Sequence, residues 1–304
     1  MSRVTLQQLL LAGSHFGHLT RRWHPKMKPF ILMERNGIHL LDLRKTQECL
    51  ERASEALREV AAKGDQVLFV GTKPQARDVV LAEARRIGVP YVTERWLGGT
   101  LTNFQTVRQG IKTLNSLEKK MTDGTYEKVS KKERLMMDRR REKLLESIGG
   151  IREMNHLPGA MFVVDLRRER IAVAEAKRLG IPIFGIVDTN VDPEMIQFPI
   201  PANDDAFKSI ALITRAVSDA VGEGLAYYKA HGQMQEAVQE TQARETEHRE
   251  GRRREDQGPA RRRRVRSPEG RGGRPEAQHH GEEKPQIHEA APAPAAKPPA
   301  PAAE

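Results

Sequence analysis

Three short runs made almost wholly of apolar residues, each closed by a glycine or an acid, constrain this chain more than any other feature. They are Val67-Leu68-Phe69-Val70 before Gly71, Ala160-Met161-Phe162-Val163-Val164 before Asp165, and Ile181-Pro182-Ile183-Phe184-Gly185-Ile186-Val187 before Asp188. A strand that is apolar on both faces must be covered on both faces, which is the habit of parallel sheets packed between helices. Helical spacing fills the intervals. Arg44 to Ala62 carries one helix ending near Gly64, and Pro74 suits the first turn of another that runs to about Ile87. Val89 to Thr93 reads as a further strand, and a last helix is expected from Asp204 or Asp205 to about Tyr228. The fold class is therefore α/β, doubly wound around a mostly parallel sheet, with right-handed crossovers.

Two segments depart from that rhythm. Phe30 to Met33 and Ile38 to Leu41 flank Asn36-Gly37, a hairpin with a two-residue turn. From about 104 to 152 the spacing of Val107, Ile111, Leu114, Leu117 and Met121, a turn at Asp123-Gly124, and a second apolar face at Met137, Leu144, Ile148 and Ile151 predict an inserted antiparallel helical hairpin. Ser130-Lys131-Lys132-Glu133 is a capping-box pattern that opens its second helix. Residues 1–231 form the α/β domain on this reading. Residues 232–304, an Arg/Ala/Pro-rich tail poor in large apolar side chains, are expected to be disordered.

The 304 residues carry a formal charge of +10. From Gly232 onward 14 Lys and Arg face 13 Asp and Glu, so the excess lies in residues 1–231. A basic folded surface suits a polyanion. The single cysteine, Cys49, excludes an internal disulfide and a multi-cysteine zinc site. No apolar run approaches a membrane span, and a reducing cytoplasm is the expected compartment.

Four motifs bear chemistry. Arg95-Trp96-Leu97-Gly98-Gly99-Thr100-Leu101-Thr102-Asn103 joins an arginine and a tryptophan to a glycine turn with hydroxyls and an amide. Trp96 can stack on a base or plug the core. Arg21-Arg22-Trp23-His24-Pro25-Lys26-Met27-Lys28-Pro29 reads as an extended basic segment stiffened by prolines. Gly71-Thr72-Lys73-Pro74 stands where a strand hands over to a helix, a place for phosphate. His18 with Asp188, Asp204 and Asp205 is a candidate site for a single divalent metal ion. His15, three residues before His18, could converge with it, and an aspartate capping the last helix is the plainer reading of Asp204 or Asp205. There is no G-x-G-x-x-G, no G-x-x-x-x-G-K-[ST], and no nucleophile in a recognisable motif, so the catalytic case is thin.

The string Arg95 to Asn103 closely resembles a signature of the bacterial small-subunit ribosomal protein two family. His15-Phe16-Gly17-His18, Trp23 with Pro25 to Pro29, Phe69 to Lys73, Leu157-Pro158, Ile186 to Asn190 and Asn203-Asp204-Asp205 continue the likeness in order. It covers nearly all of residues 1–231 and leaves the tail aside. The resemblance implies a flavodoxin-like sheet domain with a helical-hairpin insertion. It also implies a structural and assembly role without turnover, with no cofactor required, no small-molecule substrate and no membrane. The expected partners are small-subunit rRNA near the junction of head and body, and neighbouring small-subunit proteins including the large one that captures messenger RNA. The rRNA contacts expected are Arg21, Arg22, Trp23, Lys26, Lys28, Lys73, Arg95, Trp96, Gly98, Gly99, Thr100, Thr102, Asn103, Arg108, Arg139 and Arg140. Two other classes are a nucleotide-binding α/β enzyme acting through Lys73 and a free RNA-binding regulator.

Overall fold

Burial on both faces fixes how the apolar runs assemble. In the computed structural model, which describes residues 4–123, 126 and 129–256 with side chains as far as Gly232, they are β4 (Val67–Val70), β6 (Ala160–Val164) and β7 (Ile183–Val187). With β5 (Tyr91–Val92) and β8 (Phe198–Pro201) they form a five-stranded, wholly parallel sheet in the order β5-β4-β6-β7-β8. That is the flavodoxin-like order, whose direction reverses between β4 and β6. Side chains alternate between two cores. Val67, Phe69, Ala160, Phe162 and Val164 pack under α2 (Leu43–Ala62), α3 (Pro74–Ile87) and α7 (Phe207–Asp256). Leu68, Val70, Met161 and Val163 face α6 (Arg170–Arg178) and the base of the helical hairpin.

The hairpin consists of α4 (Phe104–Thr122) and α5 (Lys131–Ile148), which pack on each other. The Ser130 hydroxyl accepts from the Glu133 N–H, as the capping pattern predicts. Residues 124, 125, 127 and 128 of the expected turn lie outside the described residues. At the amino end, α1 (Leu6–Leu11) precedes a small antiparallel sheet in the order β1 (Phe16–Leu19), β3 (Ile38–Leu41), β2 (Ile31–Arg35). Asn36 and Gly37 both take positive φ, 52° and 72°, as the two-residue turn requires.

Three details differ from the expectation. β8 was hidden by Pro199 and Pro201, which an edge strand tolerates because one side needs no ladder donors. The basic segment is not extended throughout. It contains two 3-10 turns, Thr20–Arg22 and Pro25–Phe30, the second opened by Pro25 and the His24 ring, which accepts from the Lys26 N–H. The last helix starts at Phe207 and continues past Gly232 to Asp256. Residues 233–256 are rich in Gln, Glu, Ala and Arg and precede the first downstream proline, Pro259, so helix propensity carries them on without a broad apolar face. Residues 257–304, the rest of the expected tail, lie outside the described residues.

Candidate nucleic-acid interface

Because the large sheet is parallel, its strands deliver their following residues to one edge. Lys73 follows β4, Asp165 follows β6, Asp188 follows β7, and Asp204-Asp205 follow β8. The reversal between β4 and β6 is where such sheets usually hold a ligand. Here the chain fills it itself. The Lys73 ammonium lies 2.7 Å from Asp204, 2.6 Å from Asp205 and 3.4 Å from Asp165, and its side chain is only 10 % exposed. Burial lowers its pKa, but the carboxylates, Asp204 first, outweigh that and hold it above the ordinary lysine value. Asp204 and Asp205 take hydrogen bonds from the ammonium, and Asp165 adds its charge from 3.4 Å. Lys73, expected among the rRNA contacts, is thus paired within the protein and little exposed. Thr72 also points inward, donating its N–H and hydroxyl to buried Glu169.

The expected His/Asp cluster is assembled at the same edge. His18 Nδ1 lies 3.0 Å from Asp188 Oδ2, and its Nε2 lies 3.5 Å from Asp205 Oδ2. Asp188 and Asp204 are buried. His18, Asp188 and Asp204 each bring one ligand atom within 4.8 Å of the others. Asp205 stands outside that trio, 57 % exposed at its side chain, with Oδ1 on Lys73 and Oδ2 toward His18. The hydrogen bond from His18 to Asp188 outweighs burial and raises the imidazole pKa. Burial, then the fields of Asp188 and Asp165, push the Asp204 carboxyl up to about 7 despite Lys73. Four carboxylates at this edge, facing one ammonium and one imidazole, leave surplus negative charge that a proton or a cation can offset. His15 lies elsewhere, its ring 4.0 Å from that of Phe16. Asn203 shapes the turn before the last helix, its Oδ1 accepting from the N–H of Asp205 and Ala206.

The basic segment is docked on this edge. The His24 N–H donates to the Thr189 carbonyl at 2.7 Å, and the His18 N–H donates to the Thr189 hydroxyl at 2.8 Å. Met27 is buried beneath it. Lys26 is held by Asp192 and Glu194, an intramolecular use of that expected rRNA contact. Arg21, Arg22 and Lys28 are exposed and have no ion-pair partner among the described residues. Trp23 is 36 % exposed with its ring 5.1 Å from that of His39, so part of it is available for stacking.

The Arg95–Asn103 turn follows β5 at the same edge and is organised from within. Trp96 is 8 % exposed, and its indole N–H donates to Glu175 at 3.1 Å, so it plugs the core rather than facing a base. The N–H groups of Gly99, Leu101 and Thr102, and the Thr102 hydroxyl, donate to the same carboxylate. Thr100 is buried and donates to the Leu97 carbonyl. Burial pushes the Glu175 carboxyl up, but the bonds from Trp96, Thr102, Gly99 and Leu101 outweigh it and hold the pKa below the usual carboxylate range. Arg95, Gly98, Thr102 and Asn103 remain exposed, and Gly99 partly so. Arg108 on α4 and Arg139 and Arg140 on α5 are exposed without ion-pair partners among the described residues.

Sequence reasoning missed Glu175 and Glu169. The signal for Glu175 was an acid among Ala172, Val173 and Ala176, the small residues of a buried helix face.

Comparison with known proteins agrees with the motif pattern. The family model described as Ribosomal protein S2 matches residues 9–224. Among curated relatives, the small ribosomal subunit protein uS2 of Cytophaga hutchinsonii is 55 % identical over 227 residues, covering 75 % of this chain and 89 % of its own. The protein of the same name from Chloroherpeton thalassium is 56 % identical over 229 residues, covering 75 % and 92 %. That of Chlorobaculum parvum is 50 % identical over 243 residues, covering 79 % and 97 %. With more than two-thirds of its length matched by the family model and half or more of the aligned residues identical to these relatives, the chain belongs to the ribosomal protein S2 family.

Proposed function

We propose that this chain binds small-subunit rRNA through the basic rim of the sheet's carboxyl edge and the helical hairpin, as a cytoplasmic constituent of the small ribosomal subunit. As a member of its family it is a structural ribosomal protein and not an enzyme. The observation that carries the rRNA reading is a set of exposed cations without intramolecular partners among the described residues: Arg21, Arg22, Lys28, Arg95, Arg108, Arg139 and Arg140. Cations already held by carboxylates have little to gain from phosphate, whereas free ones release counterions on binding. The placement at the junction of head and body, and the docking of the large mRNA-capturing protein, rest on the family likeness. No described helix is long and apolar enough to cross a membrane. Sedimentation of a lysate through sucrose, at magnesium levels that separate the subunits, tests the proposal. Stoichiometric co-migration with the small subunit is expected, and a peak confined to the light fractions would favour a free regulator.

A second reading concerns the His18–Asp188–Asp204 trio, which we propose holds one divalent cation. One imidazole nitrogen and two carboxylates suit a borderline ion. The close approach of the three ligand atoms, within 4.8 Å of one another, and the local excess of carboxylates support it. A bound cation would pin the amino-terminal sheet to β7 and β8. Elemental analysis should find one metal per chain in the protein and none in Asp188→Ala. Equal, substoichiometric metal in both would dismiss the site.

A further inference from the structure

A glycine-rich turn with hydroxyls is expected to cradle an anion from outside, yet the donors of this one converge inward. Glu175 Oε1 receives the Trp96 indole N–H at 3.1 Å and the Gly99 N–H at 2.7 Å. Its Oε2 receives the Leu101 N–H at 2.9 Å, the Thr102 N–H at 3.1 Å and the Thr102 hydroxyl at 3.2 Å. Five donors saturate a carboxylate, and converging backbone N–H groups form the kind of nest that elsewhere binds phosphate. We propose that Glu175 is the positioning residue of the rRNA-facing turn, an internal anion that fills this nest and leaves Arg95, Gly98 and Asn103 on the outside. The proposal rests on the rRNA-binding reading above.

The geometry gives Glu175 leverage. Its helix, α6, is fixed to the sheet through Ala172, Val173 and Ala176, which are fully buried or nearly so. The carboxylate carries that rigidity into a turn that has little apolar anchorage beyond Trp96 and Leu101. The turn in turn sets the start of α4, because the Asn103 N–H donates to the Gly99 carbonyl at 2.8 Å and the helix opens at Phe104. One buried charge therefore aims both Arg95 and the first turn of α4, which leads to Arg108. RNA recognition gains from such rigidity because the ordering cost is met before binding.

The test compares Glu175→Ala, Glu175→Gln and Arg95→Ala in the full chain, each checked for a wild-type pattern of sheet amide protection. Binding to a small-subunit rRNA transcript is measured at fixed salt. Both Glu175 variants should bind about tenfold more weakly, about 1.4 kcal/mol, and lose the downfield indole N–H resonance of Trp96. Acetate added to Glu175→Ala should restore the resonance and the affinity, while chloride at equal ionic strength should not. Wild-type affinity in Glu175→Ala, with Arg95→Ala weakened, would overturn the positioning role and leave the rRNA reading standing. Wild-type affinity in Arg95→Ala would remove this turn from the rRNA surface, and the proposal with it. Weak binding that acetate leaves unchanged would reduce Glu175 to a packing residue and also overturn the proposal.

Discussion

Gly17 on β1 packs against Thr189, just beyond the end of β7, and replacing it should loosen the whole docked segment. A Cβ at this position would stand 2.5 Å from Thr189 Cγ2, 2.9 Å from Thr189 Oγ1 and 3.0 Å from the His39 carbonyl oxygen. Ordinary carbon contacts begin near about 3.5 Å, so β1 must retreat by about 1 Å. The His39 oxygen belongs to the neighbouring strand β3, which leaves little room on that side. Overpacking of this kind costs about 1–3 kcal/mol. The retreat also stretches the bonds from His18 N–H and His24 N–H to Thr189, each worth about 1 kcal/mol. Gly17→Ala should therefore lose about 2–4 kcal/mol, read as a lower urea midpoint at unchanged slope. Faster hydrogen exchange should appear at His18 and His24 before the strands of the large sheet. Thr189→Ser removes the nearest clashing carbon while keeping the hydroxyl. The double variant should accordingly be more stable than the two single losses predict, by about 1 kcal/mol. Additivity within about 0.5 kcal/mol, or a Gly17→Ala protein as stable as wild type, would refute the argument.

Lys73→Ala strands three carboxylates and should cost about 3–5 kcal/mol in urea unfolding without any nucleotide present. Unchanged stability with lost nucleotide affinity would restore the phosphate reading of this lysine. Glu175 is held below its ordinary value of 4.5, so the stability it contributes is complete above that pH and is lost as pH falls through the depressed value. In a Trp23→Phe background, Trp96 fluorescence should hold steady down to about pH 4.5 and change below it, and Glu175→Gln should abolish that acid transition. A transition that persists in Glu175→Gln would point to another group. Combined Arg21→Ala, Arg22→Ala and Lys28→Ala should flatten the salt dependence of rRNA binding by about 2–3 in the log–log slope, while Lys26→Ala alone should move it little. A larger effect from Lys26 than from the triple variant would mean that its pairs with Asp192 and Glu194 do not persist on the RNA.

The parts of the fold legible in the sequence are those governed by local pattern. Continuous apolar runs announced β4, β6 and β7, and Asn36-Gly37 announced its hairpin, because burial on two faces and positive φ each restrict the residues allowed. β8 stayed hidden because Phe198-Pro199-Ile200-Pro201 has the composition of a loop, and only its place at the sheet edge makes it a strand. The gathering of His18, Asp188, Asp204 and Asp205 could be anticipated, since parallel strands deliver their ends to one edge. Which side chain pairs with which could not. Lys26 and Lys73 look in sequence like any basic residue, and carboxylates from 92 to 168 positions away along the chain decide that they are spent. Trp96 was undecided for the same reason, because its partner lies on α6, far along the chain.

Those spent cations explain how a sheet of this type can serve a scaffold. Its carboxyl edge normally offers a crevice with free backbone donors and a lysine for a mobile ligand. In this protein the lysine is locked among Asp165, Asp204 and Asp205, Thr72 is turned to Glu169, and the glycine turn after β5 closes on Glu175. The amino-terminal segment then seals the end of β7 through Thr189 and Asp188. Each internal anion occupies donors that a phosphate would otherwise take, and each displaces affinity outward onto Arg21, Arg22, Lys28 and Arg95, which have no such partner among the described residues. A rigid edge with free charge only on its rim favours a long polyanion lying across it over a small one entering it. Freeing the interior should therefore shift the preference: Glu175→Ala should gain measurable affinity for acetate or inorganic phosphate as it loses rRNA, and a variant that loses rRNA without gaining either anion would contradict this account of the edge.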